Sequence, residues 1–250
     1  MIRIINLIKK FGRYTAVNGL NLEVKKGEVF GLLGPNGAGK TTTFKIIAGL
    51  LLPTSGTVLV KEHDILKDPV GAKQLIGFIP DRPYLYEKLT GFEFMQFIGD
   101  LRSLKDSKER IDYILDLFEL FSWKNELIEG YSHGMKQRLT FAASLLHRPP
   151  VLIVDEPVVG LDPKGARLIK GIFQKMREEG RTILMSTHIL EIAEELCDRI
   201  AIMNEGGLIA IGTLDEIRRI ANEERTKLEP LFLKLTGGNS IEDTIRAMRL

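Results

Sequence analysis

The chain has 250 residues, of which 44% are hydrophobic and 27% are charged, with a formal net charge of +2. These values are ordinary for a globular protein, and so small a net charge does not by itself indicate a nucleic-acid-binding surface. A single cysteine, Cys197, excludes an internal disulfide, and no apolar run approaches the roughly 18 residues that a membrane span needs. The N-terminal run "MIRIINLIKKFG" contains charged residues and lacks a small-residue cleavage site, so we do not expect it to be a signal peptide.

The first part of the chain predicts strands and one helix. Apolar or alternating runs with glycine at their ends predict strands across residues 1–33, and "KTTTFKIIAGL" predicts a helix from Lys40. Two further short strands are predicted at "GTVLV" and "IGFIP". Three segments then have helical spacing with no strand between them: "YLYEKLTGFEFMQFIGDLRSL", "SKERIDYILDLFELFSW" and "MKQRLTFAASLL". Residues 82–147 therefore predict an inserted all-helical subdomain.

Strands and helices alternate again after "RPP". "VLIVDEP", "RTILMSTH" and "RIAIM" predict buried strands separated by helices, which is typical of a parallel sheet with right-handed crossovers. "RIAIMNEGGLIAIG" predicts a hairpin that turns at residues 205–207. We expect residues 1–81 and 148–212 to form one core and residues 213–250 to form a mostly helical tail that includes the amphipathic "IEDTIRAMRL".

The strongest local motif is "GPNGAGKT", which follows an apolar strand and opens a helix, as a phosphate-binding loop requires. Glycines allow backbone N–H groups to curl around the β- and γ-phosphates, and the helix dipole points towards them. Lys40 would add a compact positive charge, and Thr41 would offer a hydroxyl to Mg²⁺. The predicted loop consists of Gly34, Pro35, Asn36, Gly37, Ala38, Gly39, Lys40 and Thr41.

Two carboxylates, Asp155 and Glu156, end the buried strand "VLIVDEP". Such a strand delivers an Asp to the carboxyl edge of the sheet, where it can hold Mg²⁺ near the phosphate loop. Because neighbouring strand residues point to opposite faces, Glu156 joins Asp155 only if the chain is already turning. A Glu beside the γ-phosphate can then act as the base that polarises an attacking water.

A second helix start occurs at "YSHGMKQRL", where Ser132 precedes a helical run. A serine in this position caps the first turn, and the exposed N–H groups of that turn form an anion site. Ser132 alone would be an ordinary N-cap. The chain thus has two helix starts that could face a phosphate, one after the phosphate loop and one at Ser132.

In order along the chain, these motifs resemble those of the nucleotide-binding subunit of an ATP-binding cassette (ABC) transporter. The resemblance implies an α/β fold: a P-loop NTPase core with a mixed, largely parallel sheet, an N-terminal antiparallel β subdomain and the inserted helices as a signature subdomain. It also implies that two subunits pair head to tail, so that Ser132 and Gly134 contact the nucleotide bound to the partner. Asp162 in "VVGLDP" resembles the residue that bridges the subunits, although it is also suited to starting a turn before a proline.

The resemblance assigns further residues. His188 is similar to the switch histidine that orients the attacking water, Thr42 to the residue that touches the α-phosphate, and Phe11 to the aromatic that stacks on adenine. Tyr14 is a nearby alternative to Phe11. Residues 131–135 resemble the signature motif of this family but lack its usual first glycine and its glutamine. Asp81 stands where most members have a glutamine. Asp81 can still bind Mg²⁺, but it adds a negative charge and cannot donate a hydrogen bond as an amide does. This difference bears on the affinity for Mg²⁺ and on coupling to a membrane partner.

The implied function is an ATPase that uses ATP and Mg²⁺ to energise transport by separate integral-membrane permease subunits, with export as the predicted direction. Its partners would be a second copy or a homologous ATPase subunit and the permease, with no nucleic acid. Its place would be the cytoplasm, peripheral on the inner face of the cell membrane. The alternative is a soluble ABC ATPase that acts on an assembly scaffold or a ribosome. A nucleotide-binding regulator without hydrolysis conflicts with Glu156 and His188.

Overall fold

A computed structural model of the chain describes residues 1–157, 161–220 and 227–237. Its strands are β1 (Ile2–Phe11), β2 (Tyr14–Val24), β3 (Val29–Leu33), β4 (Ser55–Val60), β5 (His63–Asp64), β6 (Ile76–Ile79), β7 (Val151–Asp155), β8 (Thr182–Thr187), β9 (Arg199–Asn204) and β10 (Gly207–Gly212). Its α-helices are α1 (Lys40–Ile47), α2 (Pro69–Gln74), α3 (Gly91–Leu101), α4 (Lys108–Leu117), α5 (His133–Leu145), α6 (Pro163–Glu178), α7 (Leu190–Leu196), α8 (Leu214–Ile220) and α9 (Leu228–Thr236).

The strands form two sheets, as the resemblance implies. The first is antiparallel with the order β2-β1-β4-β5, and the second has six strands in the order β10-β9-β3-β8-β7-β6. In the second sheet every neighbouring pair is parallel except β9 and β10, which form the predicted hairpin. Strands β3, β7 and β8 are buried along their whole length, since elements cover both faces of the sheet. The α/β class with a mixed, largely parallel sheet is therefore confirmed.

The helices α3, α4 and α5 lie between β6 and β7 in the chain, and their apolar faces pack into the same core as one face of the large sheet. Phe118 and Phe141 stack at 6.4 Å between ring centroids within this core, which also includes Leu152 of β7 and Met185 of β8. The insertion is therefore anchored to the sheet by a continuous apolar core, which fixes its position relative to the strand ends.

Two helix boundaries differ most from their predicted positions. The first inserted helix was expected from Tyr84 but begins at Gly91, because Thr90 is extended and exchanges side-chain and backbone hydrogen bonds with Glu93 in a capping box. The second helix was expected to continue to Trp123 but ends at Leu117. There Glu119 adopts a φ of +57°, and the amides of residues 119 and 120 close a Schellman motif on the carbonyls of residues 116 and 115.

Two other regions differ from or extend the expectation. Helix α2 was not predicted, although Asp68 caps it by accepting from the amide of Gly71, and Pro69 occupies its first position. The described part of the tail contains α8 and α9, whereas "IEDTIRAMRL" lies outside the described residues. Within the described parts of the chain, no helix has the length and apolar character that crossing a membrane requires.

Candidate nucleotide-binding site

The loop between β3 and α1 is held close to two strands that flank it. Gly39 has a φ of +101°, and a Cβ there would lie 2.4 Å from the carbonyl oxygen of Ala16 in β2. A Cβ on Gly34 would lie 2.4 Å from the carbonyl oxygen of Met203 in β9. Close backbone approach therefore requires glycine at both positions, in addition to the phosphate binding that the motif predicts. The N–H groups of the first turn of α1, which have no acceptor within the helix, open into the same loop.

Lys40 lies folded back on this loop. Its Nζ donates to the carbonyl oxygens of Gly34 at 2.7 Å and Pro35 at 3.1 Å. Burial lowers the pKa of Lys40, and the nearby carboxylates of Glu156 and Asp155 oppose that shift. The ammonium thus lies between loop carbonyls and acids, in a place from which it can meet a phosphate.

One cleft of about 330 Å³ gathers most of the predicted residues. Its lining consists of Phe11, Tyr14, Ala16, Asn36, Gly37, Ala38, Gly39, Lys40, Thr41, Thr42, Asp81, Asp155 and Glu156. Phe11 and Tyr14 are both about half exposed, so either ring is available for stacking on a base. A larger groove of about 750 Å³ runs along α6, but none of the predicted site residues lines it.

The two acids at the end of β7 face the same cleft because the chain turns at Glu156. This residue has a φ of +57°, and its backbone N–H donates at 3.2 Å to both the carbonyl oxygen and the Oγ of Ser186. Asp155 is buried, and its Oδ1 accepts from the Ser186 hydroxyl. Asp155 Oδ2 is buried and has no hydrogen-bond partner in the described structure. The chain therefore turns at Glu156, which is the condition for Glu156 to share a site with Asp155.

His188 follows β8 and contacts the second of these acids. Its Nδ1 lies 2.9 Å from Glu156 Oε1, whereas Glu156 Oε2 is buried and has no protein partner among the described residues. The His188 side chain is 57% exposed, so its ring reaches from the carboxylate to open solvent. The structure thus brings the predicted base and the predicted switch histidine into direct contact.

The residues assigned to contact across subunits do not line this cleft. Ser132 caps α5 by accepting from the amide three residues later at 3.3 Å, and Gly134 lies in the first turn of that helix. Asp162 caps α6 by accepting from the amide of Gly165 at 2.8 Å. Residues 158–160 of the predicted bridging loop lie outside the described residues. The side chains of Ser132 and Asp162 thus make N-cap hydrogen bonds, and their roles towards a partner subunit remain predictions.

Ser186 has a part in the site that its local sequence does not indicate. The segment "STH" predicts only the approach to His188, whereas Ser186 hydrogen-bonds to both Asp155 and Glu156. Ser186 faces Asp155 directly in the β7/β8 ladder. No local motif signals this pairing, because it depends on the register between two strands about thirty residues apart.

The residues present fit a nucleotide with a divalent cation. Asp155 Oδ2 is a hard oxygen without a partner, and Thr41 and Asp81 line the same cleft. Within the described residues, no group of three or more His, Cys, Asp or Glu side chains could hold a metal ion on its own. A Mg²⁺ site would therefore be completed by phosphate oxygens, as is usual for Mg²⁺ held by one or two carboxylates.

The sequence of this chain is similar to known proteins over most of its length. The ABC transporter family model matches residues 17–159. The linearmycin resistance ATP-binding protein LnrL of Bacillus subtilis is 41% identical over 219 residues, which cover 87% of this chain and 70% of LnrL.

Two solved structures are similar over most of the chain. A structure of an ATP-binding subunit of an ABC transporter matches with a TM-score of 0.90 and 32% identity, over 94% of this chain and 99% of that one. A dimeric ATP-binding cassette in a post-hydrolysis state, bound to ADP and Pi, matches with a TM-score of 0.75 and 28% identity, over 86% of this chain and 99% of that one.

Proposed function

Since this chain belongs to the ABC transporter family and is one of its ATPases, we propose that two copies close around two ATP molecules and energise separate membrane subunits. The proposed direction is export, which the resistance function in the name of LnrL supports. The proposed location is the inner face of the membrane, where the chain would be held by the subunits that it drives.

The observation that carries the proposal is the division of the predicted site into two surfaces. Lys40, Asp155 and Glu156 meet in one cleft, whereas Ser132 and Asp162 are exposed at the starts of two helices elsewhere. A helix N-terminus with a hydroxyl cap is suited to an anion, but the chain's own cleft does not include it. A head-to-tail pair would bring each α5 to the cleft of the other copy, and the similarity to a dimeric cassette supports this arrangement.

In the proposed hydrolysis, Lys40 leaves its loop carbonyls and neutralises charge on the phosphates. Glu156 takes the proton of the attacking water, and His188, at 2.9 Å from Glu156 Oε1, holds this carboxylate and extends towards the terminal phosphate. Mg²⁺, bound with the nucleotide, would supply further charge neutralisation. Asp155, whose Oδ2 has no protein partner, and Thr41 are the residues placed to hold it, with Asp81 nearby.

The substitution Glu156→Gln tests the catalytic part of the proposal. The amide keeps the shape but cannot accept a proton, so turnover should fall at least about a hundredfold while ATP still binds. Light scattering should then show the mass doubling when ATP is added. Glu109→Gln, the same change on the exposed side of α4, serves as the control. Full-rate turnover with no change in mass would refute the assignment.

A second substitution, Lys40→Ala, tests the nucleotide-binding part. Loss of a charged donor to phosphate should weaken ATP binding at least about tenfold, as measured by calorimetry. An unchanged dissociation constant would show that the cleft does not hold the phosphates at Lys40.

Exposed apolar side chains on and beside α3 support the proposed membrane partner. Tyr86 packs edge-on against Phe97 of α3 at 5.5 Å between centroids, and Leu101 lies one turn further along the same helix. Leu101 also lines a groove of about 360 Å³ with Leu50 and Val70, which are both more than 60% exposed. We assign this surface, called here the α3 surface, to a helix of the membrane subunit.

The assignment of the α3 surface to a membrane subunit can be tested by affinity purification of tagged protein from detergent-solubilised native membranes. The wild type should recover a polytopic membrane protein in stoichiometric amount, and Leu101→Glu should lose it while keeping basal ATPase activity. Tyr113→Glu, which places the same charge at an exposed site on α4, should behave as the wild type. Recovery of ribosomal or assembly-scaffold proteins instead would favour the alternative function and overturn the transport role.

A further inference from the structure

Ser186 is a buried hydroxyl residue that does not line the nucleotide cleft, yet it contacts both acids that do. It lies near the end of β8, fully buried and directly opposite Asp155. Its Oγ accepts from the backbone N–H of Glu156 at 3.2 Å, and its hydroxyl donates to Asp155 Oδ1. One hydroxyl group therefore joins the backbone of one acid to the side chain of the other.

The first consequence concerns the orientation of Asp155. Because Oδ1 is occupied by Ser186, the carboxylate cannot rotate freely, and Oδ2 is the oxygen that remains without a partner. A buried carboxylate oxygen without a hydrogen bond is unfavourable unless a cation binds to it or a water donates a hydrogen bond to it. Ser186 thus determines which oxygen of Asp155 is available to a nucleotide-bound cation.

The second consequence concerns the turn at Glu156. A φ of +57° is unfavourable for a residue with a Cβ, and such conformations persist only where surrounding contacts hold them. The N–H of Glu156 is held by both the carbonyl oxygen and the Oγ of Ser186. Without this turn, Glu156 would point to the opposite face of the sheet from Asp155.

We propose that Ser186 is a positioning residue for ATP hydrolysis, which fixes the metal-facing oxygen of Asp155 and holds the turn that aims Glu156. This inference rests on the proposed roles of those two acids. The neighbouring hydroxyl of Thr187 differs, since it accepts from the amide of Ile189 at 3.0 Å and so shapes only the turn that leads to His188.

The test compares Ser186→Ala with Thr182→Val, which also removes a buried hydroxyl from β8. Thr182 Oγ1 accepts from the amide of Gly27 at 3.0 Å and donates to the carbonyl of Lys25 at 3.3 Å, four residues before Ser186 on the same strand. Both variants lose one accepted and one donated hydrogen bond, but only one of them touches the acids. The comparison therefore separates a loss of positioning from a general loss of packing.

Ser186→Ala should lower kcat about ten- to hundredfold and raise KM for ATP with Mg²⁺ by up to about tenfold, because the metal-bound nucleotide loses part of its contact with Asp155. Electron paramagnetic resonance of Mn²⁺ with a non-hydrolysable ATP analogue should show metal affinity reduced about tenfold. Binding of the same analogue in EDTA should not change, because Asp155 acts only through the cation. Thr182→Val should keep wild-type kcat and Mn²⁺ affinity even if its unfolding midpoint falls.

Two results would overturn the inference. Wild-type kcat and Mn²⁺ affinity in Ser186→Ala would show that the hydroxyl positions nothing. A parallel loss of binding in EDTA would show that the cleft as a whole is disturbed. Full turnover in Glu156→Gln would instead refute the proposed base, and the Mn²⁺ measurement would still report on Ser186 and Asp155.

Discussion

Replacing Gly39 by alanine should destabilise the nucleotide-free protein by about 2–5 kcal/mol. A residue with a Cβ at a φ of +101° loses about 1–2 kcal/mol of backbone energy. The new Cβ would also lie 2.4 Å from the carbonyl oxygen of Ala16, about 1 Å inside ordinary contact, and both groups belong to the backbone. Since neither can rotate away, the loop and β2 must separate, which adds about 1–3 kcal/mol. Urea unfolding measures the total, and calorimetry should show ATP binding weakened along with it.

The matched control is Gly37→Ala in the same loop. Gly37 has a φ of +83°, but a Cβ there would meet nothing within 4 Å, so only the backbone cost of about 1–2 kcal/mol applies. The two variants should therefore differ by about 2 kcal/mol in the free energy of unfolding. Equal destabilisation, within about 0.5 kcal/mol, would refute the claim that close approach of β2 dictates glycine at residue 39.

Three other changes have defined outcomes. Burial, followed by the charges of Arg102 and Arg110, lowers the pKa of His147 from 6.5 to about 4, so protonation favours the unfolded chain and stability falls as the pH drops from 6.5 towards 4. Urea unfolding at pH 7 and pH 4.5 should show an acid-induced loss about 2 kcal/mol smaller in His147→Gln, after allowance for partial exposure, and equal losses would contradict this. Gly171→Ala, in α6 where a Cβ meets open space, should raise the free energy of unfolding by about 0.5–1 kcal/mol with unchanged ATPase activity, and a decrease would contradict the helix argument. Asp81→Gln should tighten binding of ATP in EDTA about two- to fivefold at low salt by removing a negative charge from the cleft, and weaker binding by calorimetry would contradict this.

The phosphate loop could be predicted because its requirements are local. Glycines, a lysine and a hydroxyl residue at fixed spacing describe one strand–loop–helix unit, and the structure places them around one cleft. The capping box of Thr90 and Glu93 was also readable, and the misplaced start of α3 came from giving helical spacing priority over that capping signal. The end of α4 was not readable, because Glu119 adopts a left-handed conformation without the glycine that normally signals it.

The arrangement of the acids could be predicted only in part. The sequence places Asp155 at a strand end, but the hydrogen bonds from Ser186 depend on which strands are neighbours and on their register. The turn that directs Glu156 into the cleft also depends on that neighbour, since the amide of Glu156 bonds to Ser186. Such details arise from long-range pairing and carry no signature in either segment.

The charges of the cleft explain why a second phosphate-facing helix would be useful. Among the described residues that line it, Lys40 is the one cation, whereas Asp81, Asp155 and Glu156 are acids. A polyanion such as ATP entering this lining meets more negative than positive side-chain charge, which a divalent cation and the N-terminus of α1 offset only partly. The N-terminus of α5 from a partner would add positive potential and N–H donors on the open side of the cleft, without another charged side chain. Closure of two copies would then be favoured most when ATP is bound, which couples the state of the nucleotide to the spacing of the two subunits.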